Sequence, residues 1–350
     1  MPNSSLISIA TALPPHKVFQ SDVRELVHHL FEEEYKGLER LMPVFEHTQI
    51  ESRYFSQPLE WFSKQQSFVE SSKEYVETAL RLITQASEDV LAKSGVKRDD
   101  IEMVIAISTT GITTPSLDAK LIQALHLAKT TKRVPIWGLG CAGGVSGLAR
   151  ASELVKTLPS NKFALLVVVE LCSLTFQRND VSKSNIIAAS LFGDGAVAVL
   201  VTNSPTEHFQ ILASHSFIFD DSEDIMGWDI IETGLKVRFS RDIPTLIRSQ
   251  LPALLDEACE AWGIERSSIQ HFVVHAGGAK VLQAYSESLA LVPEQLEIAH
   301  RILRYHGNMS SVSVLFALKE FVESTPPTGE LGVMIALGPG FSAEFLLFQY

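Results

Sequence analysis

Gly95-Val-Lys-Arg-Asp-Asp-Ile101, which runs into the Val/Ile-rich IEMVIAIS (101–108), is answered 168 residues later by Gly263-Ile-Glu-Arg-Ser-Ser-Ile269, which runs into IQHFVVHA (269–276). Each copy leads from a turn into a buried strand. Working outward, two further pairs keep the same order. At an offset of 167, Gly140-Cys141-Ala-Gly-Gly144 corresponds in placement to Gly307-Asn308-Met-Ser-Ser311. Gly193-Asp-Gly195 ahead of AVAVLV corresponds to Gly338-Pro-Gly340 ahead of FSAEFLLF. Three weak matches in one order argue for two copies of one α/β unit, and we place the halves at 1–205 and 206–350.

The rest of the chain fits that unit. Phe163–Val169, Ala196–Val201 and Phe272–His275 read as further strands. Helix-period apolar positions occupy 22–46 and 68–93, and helices are expected over 144–157, 246–262 and 312–323. Strands alternating with helices imply an α/β architecture with covered sheets. The 350 residues are 46% hydrophobic and 20% charged, which excludes disorder. Three cysteines cannot build a disulfide framework and point to free thiols in a reducing, cytoplasmic setting. The net charge of −12, with no Lys/Arg block, argues against nucleic acid as a partner. An anionic small ligand, which meets only its own pocket, is not excluded. Met1–His16 lacks a secretory pattern, and runs such as FALLVVV (163–169) are too short to span a membrane.

Cys141 lies in Trp137-Gly-Leu-Gly-Cys-Ala-Gly-Gly144, at a turn from an extended stretch (134–137) into a helix. A helix N-terminus favours thiolate, so Cys141 is expected to be a nucleophile with a lowered pKa. Cys172 and Cys259 read as small core residues. The same stretch spells G-x-G-x-x-G (Gly138, Gly140, Gly143) and leads to a strand ending in Glu170, the outline of an NAD-dependent dehydrogenase. A Cys at the crown of that loop and its position deep in the chain count against it. His275 ends a strand and enters Ala276-Gly-Gly278, a glycine-lined edge of the sheet where open α/β folds bind ligands. Asn308 stands where the first copy has Cys141, so both are expected at the interface of the halves. His306, beside Gly307, is expected to turn outward. Cys, His and Asn in this order suggest a nucleophile with polarising partners. A papain-like hydrolase would need a different signature around its Cys.

WGLGCAGG around Cys141, SLFGDGA around Phe192, FVVHAGG around His275, YHGNMSS around Asn308 and ALGPGF around Gly338, Pro339 and Gly340 carry a resemblance. The chain resembles type III polyketide synthases, the chalcone synthase-like branch of the thiolase superfamily, over essentially its whole length. Residues 226–244 (MGWDIIETGLKVRFSRDIP) and 170–177 (ELCSLTFQ, which holds Thr175) are most similar to bacterial alkylpyrone synthases. The resemblance implies a thiolase-like, five-layered αβαβα fold of two duplicated halves, assembled as a homodimer in which Thr114 reaches the partner's cavity. It implies Cys141, His275 and Asn308 as the catalytic set. Phe192 becomes a cavity wall, Thr175 and the Gly338–Pro339–Gly340 loop line the substrate site, and Arg40 and Lys280 meet coenzyme A phosphates. Val237 stands where plant members carry a second gatekeeping Phe, and Pro43 and His47 replace two further basic residues.

The implied activity is that of an acyltransferase without metal or cofactor, whose substrates are CoA thioesters. A medium- or long-chain fatty acyl-CoA is condensed with malonyl-CoA by decarboxylative Claisen chemistry and lactonised to alkylpyrones, with alkylresorcinols as a side product. A β-ketoacyl-carrier-protein synthase uses the same three residue types. Its His usually sits in His-Gln-Ala-Asn and its Asn in Gly-Asn-Thr-Ser, whereas this chain has His-Ala-Gly-Gly and Gly-Asn-Met-Ser.

Overall fold

The computed structural model describes residues 4–204 and 209–350, so the expected boundary at 205/206 lies outside the described residues. Nine strands form the main sheet: β1 (Ser4–Ala12), β2 (Ile101–Ser108), β3 (Lys132–Trp137), β4 (Phe163–Leu171), β5 (Asp194–Thr202), β6 (Gln210–Ile218), β7 (Ile269–Val274), β8 (Leu331–Gly338) and β9 (Ser342–Gln349). Their order across the sheet is β7-β8-β9-β6-β1-β5-β4-β2-β3. In the N-terminal half β1, β2, β3 and β4 point one way and β5 runs antiparallel between β1 and β4. In the C-terminal half β6, β7 and β8 point one way and β9 runs antiparallel between β6 and β8. The two halves therefore repeat one topology, except that among the described residues no strand matches β3 in the second. The halves meet where β1 pairs with β6 over Ser4–Ile211 and Ser5–Gln210.

The principal helices are α1 (Gln20–Phe31), α2 (Phe68–Ser94), α3 (Leu117–Ala124), α4 (Gly143–Val155), α5 (Lys183–Leu191), α6 (Ile243–Trp262), α7 (Ala279–Leu289), α8 (Pro293–His306) and α9 (Ser311–Glu323). Helices α4 and α9 pack on each other and touch strands of both halves, forming a central layer. On the far faces, α2 and α3 cover β1, β5, β4, β2 and β3, while α6 covers β6 with α7 packed against it. This is the five-layer arrangement. The glycines of the repeat serve it directly: Gly95 (φ +68) and Gly263 (φ +70) are left-handed C-caps of α2 and α6, and one 3₁₀ turn leads from each region into β2 or β7. At its start α2 carries a capping box made by Ser67 and Glu70.

One expected helix is interrupted. Over 22–46 only α1 is long; Glu32-Glu33-Glu34 comes directly after it, and one-turn helices occupy Leu38–Leu41 and Val44–His47. Three acidic side chains at a helix C-terminus oppose its dipole, and Gly37 and Pro43 break the remaining stretch into single turns. Among the described residues, no helix is long and apolar enough to cross a membrane.

Candidate active site

The N-termini of the two central helices meet. A Cβ on Gly144 would run into the Ser311 carbonyl, and one on Gly143 would lie 3.1 Å from Ser311 Cβ. The loop before α4 carries Cys141, and the loop before α9 carries Asn308. His275 follows β7, its N–H donating to the Ile335 carbonyl at 2.9 Å and so prolonging the β7–β8 ladder. Cys141 (9% exposed), His275 (4%) and Asn308 (6%) all line one cavity of about 570 Å³.

The cavity has a dry end and a charged rim. Phe192, Val237, Trp228, Phe239, Ile187 and Leu191 contribute apolar wall. Arg40 and Lys280 line it, as do Pro43 and His47, and the structure adds Lys183 and Arg241. These four Lys and Arg side chains are exposed, and no Asp or Glu is among the described lining residues. In a chain with 41 acidic and 29 basic residues, that local imbalance marks a site for anions. Neither Lys183, which opens α5, nor Arg241, which precedes α6, was singled out from the sequence.

Asn308 is held on both sides. Its Nδ2 donates to the Gly277 carbonyl (3.0 Å), and its Oδ1 accepts from Ser310 N–H (2.8 Å). Its backbone forms a parallel bridge with Phe192, made by Asn308 N–H to Leu191 O (2.8 Å) and Gly193 N–H to Asn308 O (3.0 Å). The Phe192 ring stands 6.2 Å from Trp228 and 6.4 Å from Phe239, centroid to centroid. Behind it, fully buried Arg53 donates to the Ala189 and Phe192 carbonyls, at 2.8 Å each, and to Gln20.

Burial decides the charge states. It pushes the Cys141 thiol up to about 12; the Ser310 hydroxyl pulls it down, and the nearby Glu170 charge raises it further. It pushes His275 down to about 4. The expected lowered pKa at Cys141 is thereby corrected: desolvation outweighs the helix terminus, and both groups are neutral at pH 7. Glu170, noted in the sequence only as a strand end, is buried between the halves. Burial raises it to about 7, against hydrogen bonds from Ser311 Oγ (2.6 Å), Thr109 N–H (2.9 Å), and Thr110 Oγ1 (2.8 Å) and N–H (3.0 Å).

Other expected residues fall outside the cavity. Thr175 is buried, donates to the Cys172 carbonyl (2.8 Å) and lines a void of about 30 Å³ on the other side of Phe192. Thr114 is exposed on the loop before α3 and does not line its own chain's cavity. Within Gly338–Gly340 only Pro339 lines the cavity; a Cβ on Gly338 would lie 2.6 Å from that of Ala142. Phe341 N–H is taken by Ser222 Oγ (2.6 Å). His306 does not turn outward: its ring packs between Tyr54 (5.9 Å) and Phe316 (5.2 Å), because aromatic surface holds it more favourably than water does. The dinucleotide reading also fails. A Cβ on Gly140 would lie 2.5 Å from Pro339 Cδ, so the C-terminal half already covers the loop a pyrophosphate would need.

A duplicated five-layer fold with these residues on one cavity defines a condensing enzyme of the thiolase-like class. The family model for the N-terminal domain of chalcone and stilbene synthases matches residues 2–205, and that for the C-terminal domain matches 210–350. The chain belongs to this family, the type III polyketide synthases, and is an acyltransferase-type condensing enzyme. It is 40% identical over 359 residues (99% of this chain, 98% of the relative) to a Bacillus subtilis (strain 168) protein that carries a chalcone synthase name. It is 35% identical over 355 residues (99% and 93%) to the 1,3,6,8-tetrahydroxynaphthalene synthase of Streptomyces peucetius subsp. caesius. The crystal structure of that synthase from Streptomyces coelicolor A3(2) superposes with a TM-score of 0.92 at 28% identity, covering 99% of each chain.

Proposed function

We propose that the protein loads a medium- or long-chain fatty acyl group from coenzyme A onto Cys141, extends it with malonyl-CoA and lactonises the product to alkylpyrones, with alkylresorcinols as a side product. One observation carries this reading: a single cavity joins a buried Cys141–His275–Asn308 end and an apolar wall to a rim of Arg40, Lys183, Arg241 and Lys280 with no carboxylate among its described lining residues. Such a site suits an apolar acyl chain joined to a polyanionic carrier. No cofactor or metal enters the reaction.

The neutral pair sets the order of events. His275 takes the Cys141 proton as sulfur attacks the acyl thioester, so two charges form together and each offsets the burial of the other. The leaving CoA sulfur then takes that proton back, and His275 is neutral again. Loss of CO₂ from malonyl-CoA leaves an enolate, whose oxygen accepts hydrogen bonds from His275 and from the second N–H of Asn308 Nδ2. One such donor is worth about 3–4 kcal/mol, or roughly 10²–10³ in rate. The enolate carbon attacks the acyl-Cys141 carbonyl, and carbon–carbon bond formation expels the sulfur as thiolate. That thiolate takes up one proton from solvent to restore the neutral thiol, so the extended chain is now carried on coenzyme A. Phe192 and its aromatic neighbours keep water from the enolate. Val237, in place of a bulkier ring, leaves room for an alkyl chain.

A homodimer in a reducing, cytoplasmic setting fits as well. β3 is an edge strand that ends at half-exposed Trp137, and Ile112, two residues from Thr114, is also half exposed.

The test is a ladder of acyl-CoAs with malonyl-CoA, with products identified by mass spectrometry. Pyrones from starters of about ten carbons or more are expected, with no acyl-enzyme in Cys141→Ala. Val237→Phe should shift the preference toward shorter starters. Turnover with malonyl-carrier protein but not malonyl-CoA would overturn the reading in favour of fatty acid synthesis.

A further inference from the structure

Three buried polar atoms at the cavity have no hydrogen-bond partner among the described residues: both ring nitrogens of His275 and the Tyr285 hydroxyl. The chemistry above uses His275. It leaves Tyr285 without a role.

Tyr285 is fully buried on α7, one turn beyond Val281, and both residues line the cavity. Val281 in turn flanks Gly277, against which the His275 ring packs. The phenol is therefore on the buried wall of the cavity that holds Cys141 and His275, whereas the cations of the rim are exposed. Phenylalanine would fill the same slot without burying an unsatisfied hydroxyl, which is destabilising. What a substrate presents beside Cys141 is an acyl or β-ketoacyl chain, whose polar atoms are carbonyl oxygens that only accept. A phenol is the matching donor, and burial raises its pKa well above the usual value, so it keeps its proton at working pH.

We propose that Tyr285 is a further catalytic residue, whose hydroxyl donates a hydrogen bond to the carbonyl oxygen of the acyl group carried on Cys141. The proposal rests on the reading of Cys141 as the acyl-carrying nucleophile. In that role Tyr285 polarises the same carbonyl twice, when Cys141 attacks it during loading and when the enolate attacks it during extension, while His275 and Asn308 serve the enolate itself.

Tyr285→Phe removes one oxygen and keeps the ring. Three quantities decide: acylation of Cys141 by lauroyl-CoA in rapid-quench mass spectrometry, CO₂ release from malonyl-CoA without starter, and the melting temperature. Acylation in the variant should fall roughly 10²- to 10³-fold relative to its CO₂ release, with an unchanged or higher melting temperature. Equal loss in both reactions would assign the hydroxyl to the enolate and overturn the proposal, as would no loss in acylation. A melting temperature several degrees lower would show a structural hydrogen bond and overturn it too. Wild-type protein that is never acylated at Cys141 would overturn both this inference and the function on which it rests.

Discussion

Gly277 stands so close to the His275 ring that a Cβ there would lie 3.2 Å from Nε2 and 3.3 Å from Cδ2. Gly277→Ala should therefore tilt the imidazole while leaving the fold intact. A displacement of a few tenths of an ångström is expected to lower kcat by about ten- to a hundredfold; unchanged kcat with an unchanged circular dichroism spectrum would show that the ring position is not critical. The glycines that make such close approaches are also why Cys141, His275 and Asn308 could be read in the sequence. Each lies at an element junction within two residues of a glycine, where chemistry leaves a local mark. Tyr285, Lys183 and Arg241 lie in or beside helices, where a one-residue difference in phase decides between core, cavity and solvent. Periodicity does not resolve that difference, and Glu170 was hidden because its donors come from Thr109, Thr110 and Ser311, far apart in the chain.

At the level of elements, the turn after α5 is pinned from beneath by a single cation. Arg53 holds the Ala189 and Phe192 carbonyls, and the bridge from Phe192 to Asn308 passes that constraint to the loop before α9. Burial lowers Arg53 to about 9, with the Asp194 charge working the other way, so the guanidinium is still charged at pH 7. Arg53→Met should cost about 1–3 kcal/mol for each buried carbonyl, of Ala189 and Phe192, that it leaves unpaired. Chemical denaturation measures this, and a loss below about 1 kcal/mol would show that the turn holds without it. The strand and helix sequence of the core was legible because α2, α4, α6 and α9 are long, amphipathic or apolar, and α2 and α6 end at glycine. The break after α1 was not, since apolar spacing continues across Glu32-Glu33-Glu34 while the charges that end the helix lie between the periodic positions.

For the molecule as a whole, buried titratable groups pull stability in opposite directions with pH. His275 and His306 are both lowered to about 4, chiefly by burial, with Lys17 adding to the effect at His306. Between pH 6.5 and 4 the unfolded chain binds protons that these rings refuse, so their contribution is lost as the pH falls through that window. Glu170, raised to about 7, and Asp194, raised to about 6, both by burial, act in reverse. His306→Phe isolates one contribution while keeping the stack between Tyr54 and Phe316. The difference in melting temperature should move in favour of the variant as the pH falls from 6.5 toward 4, whereas a pH-independent difference would show that His306 charges freely in the fold. A final consequence concerns synthesis rather than catalysis. β1 is first in the chain yet lies in the middle of the sheet, and its main partner is β5, through pairs such as Ala12–Ala196. At about 5–20 residues per second, the ribosome separates the two strands by roughly ten to forty seconds. Throughout that interval β1, whose Leu6, Ile9 and Ala10 end in the core, has no strand to pair with, because its neighbour has not yet been made.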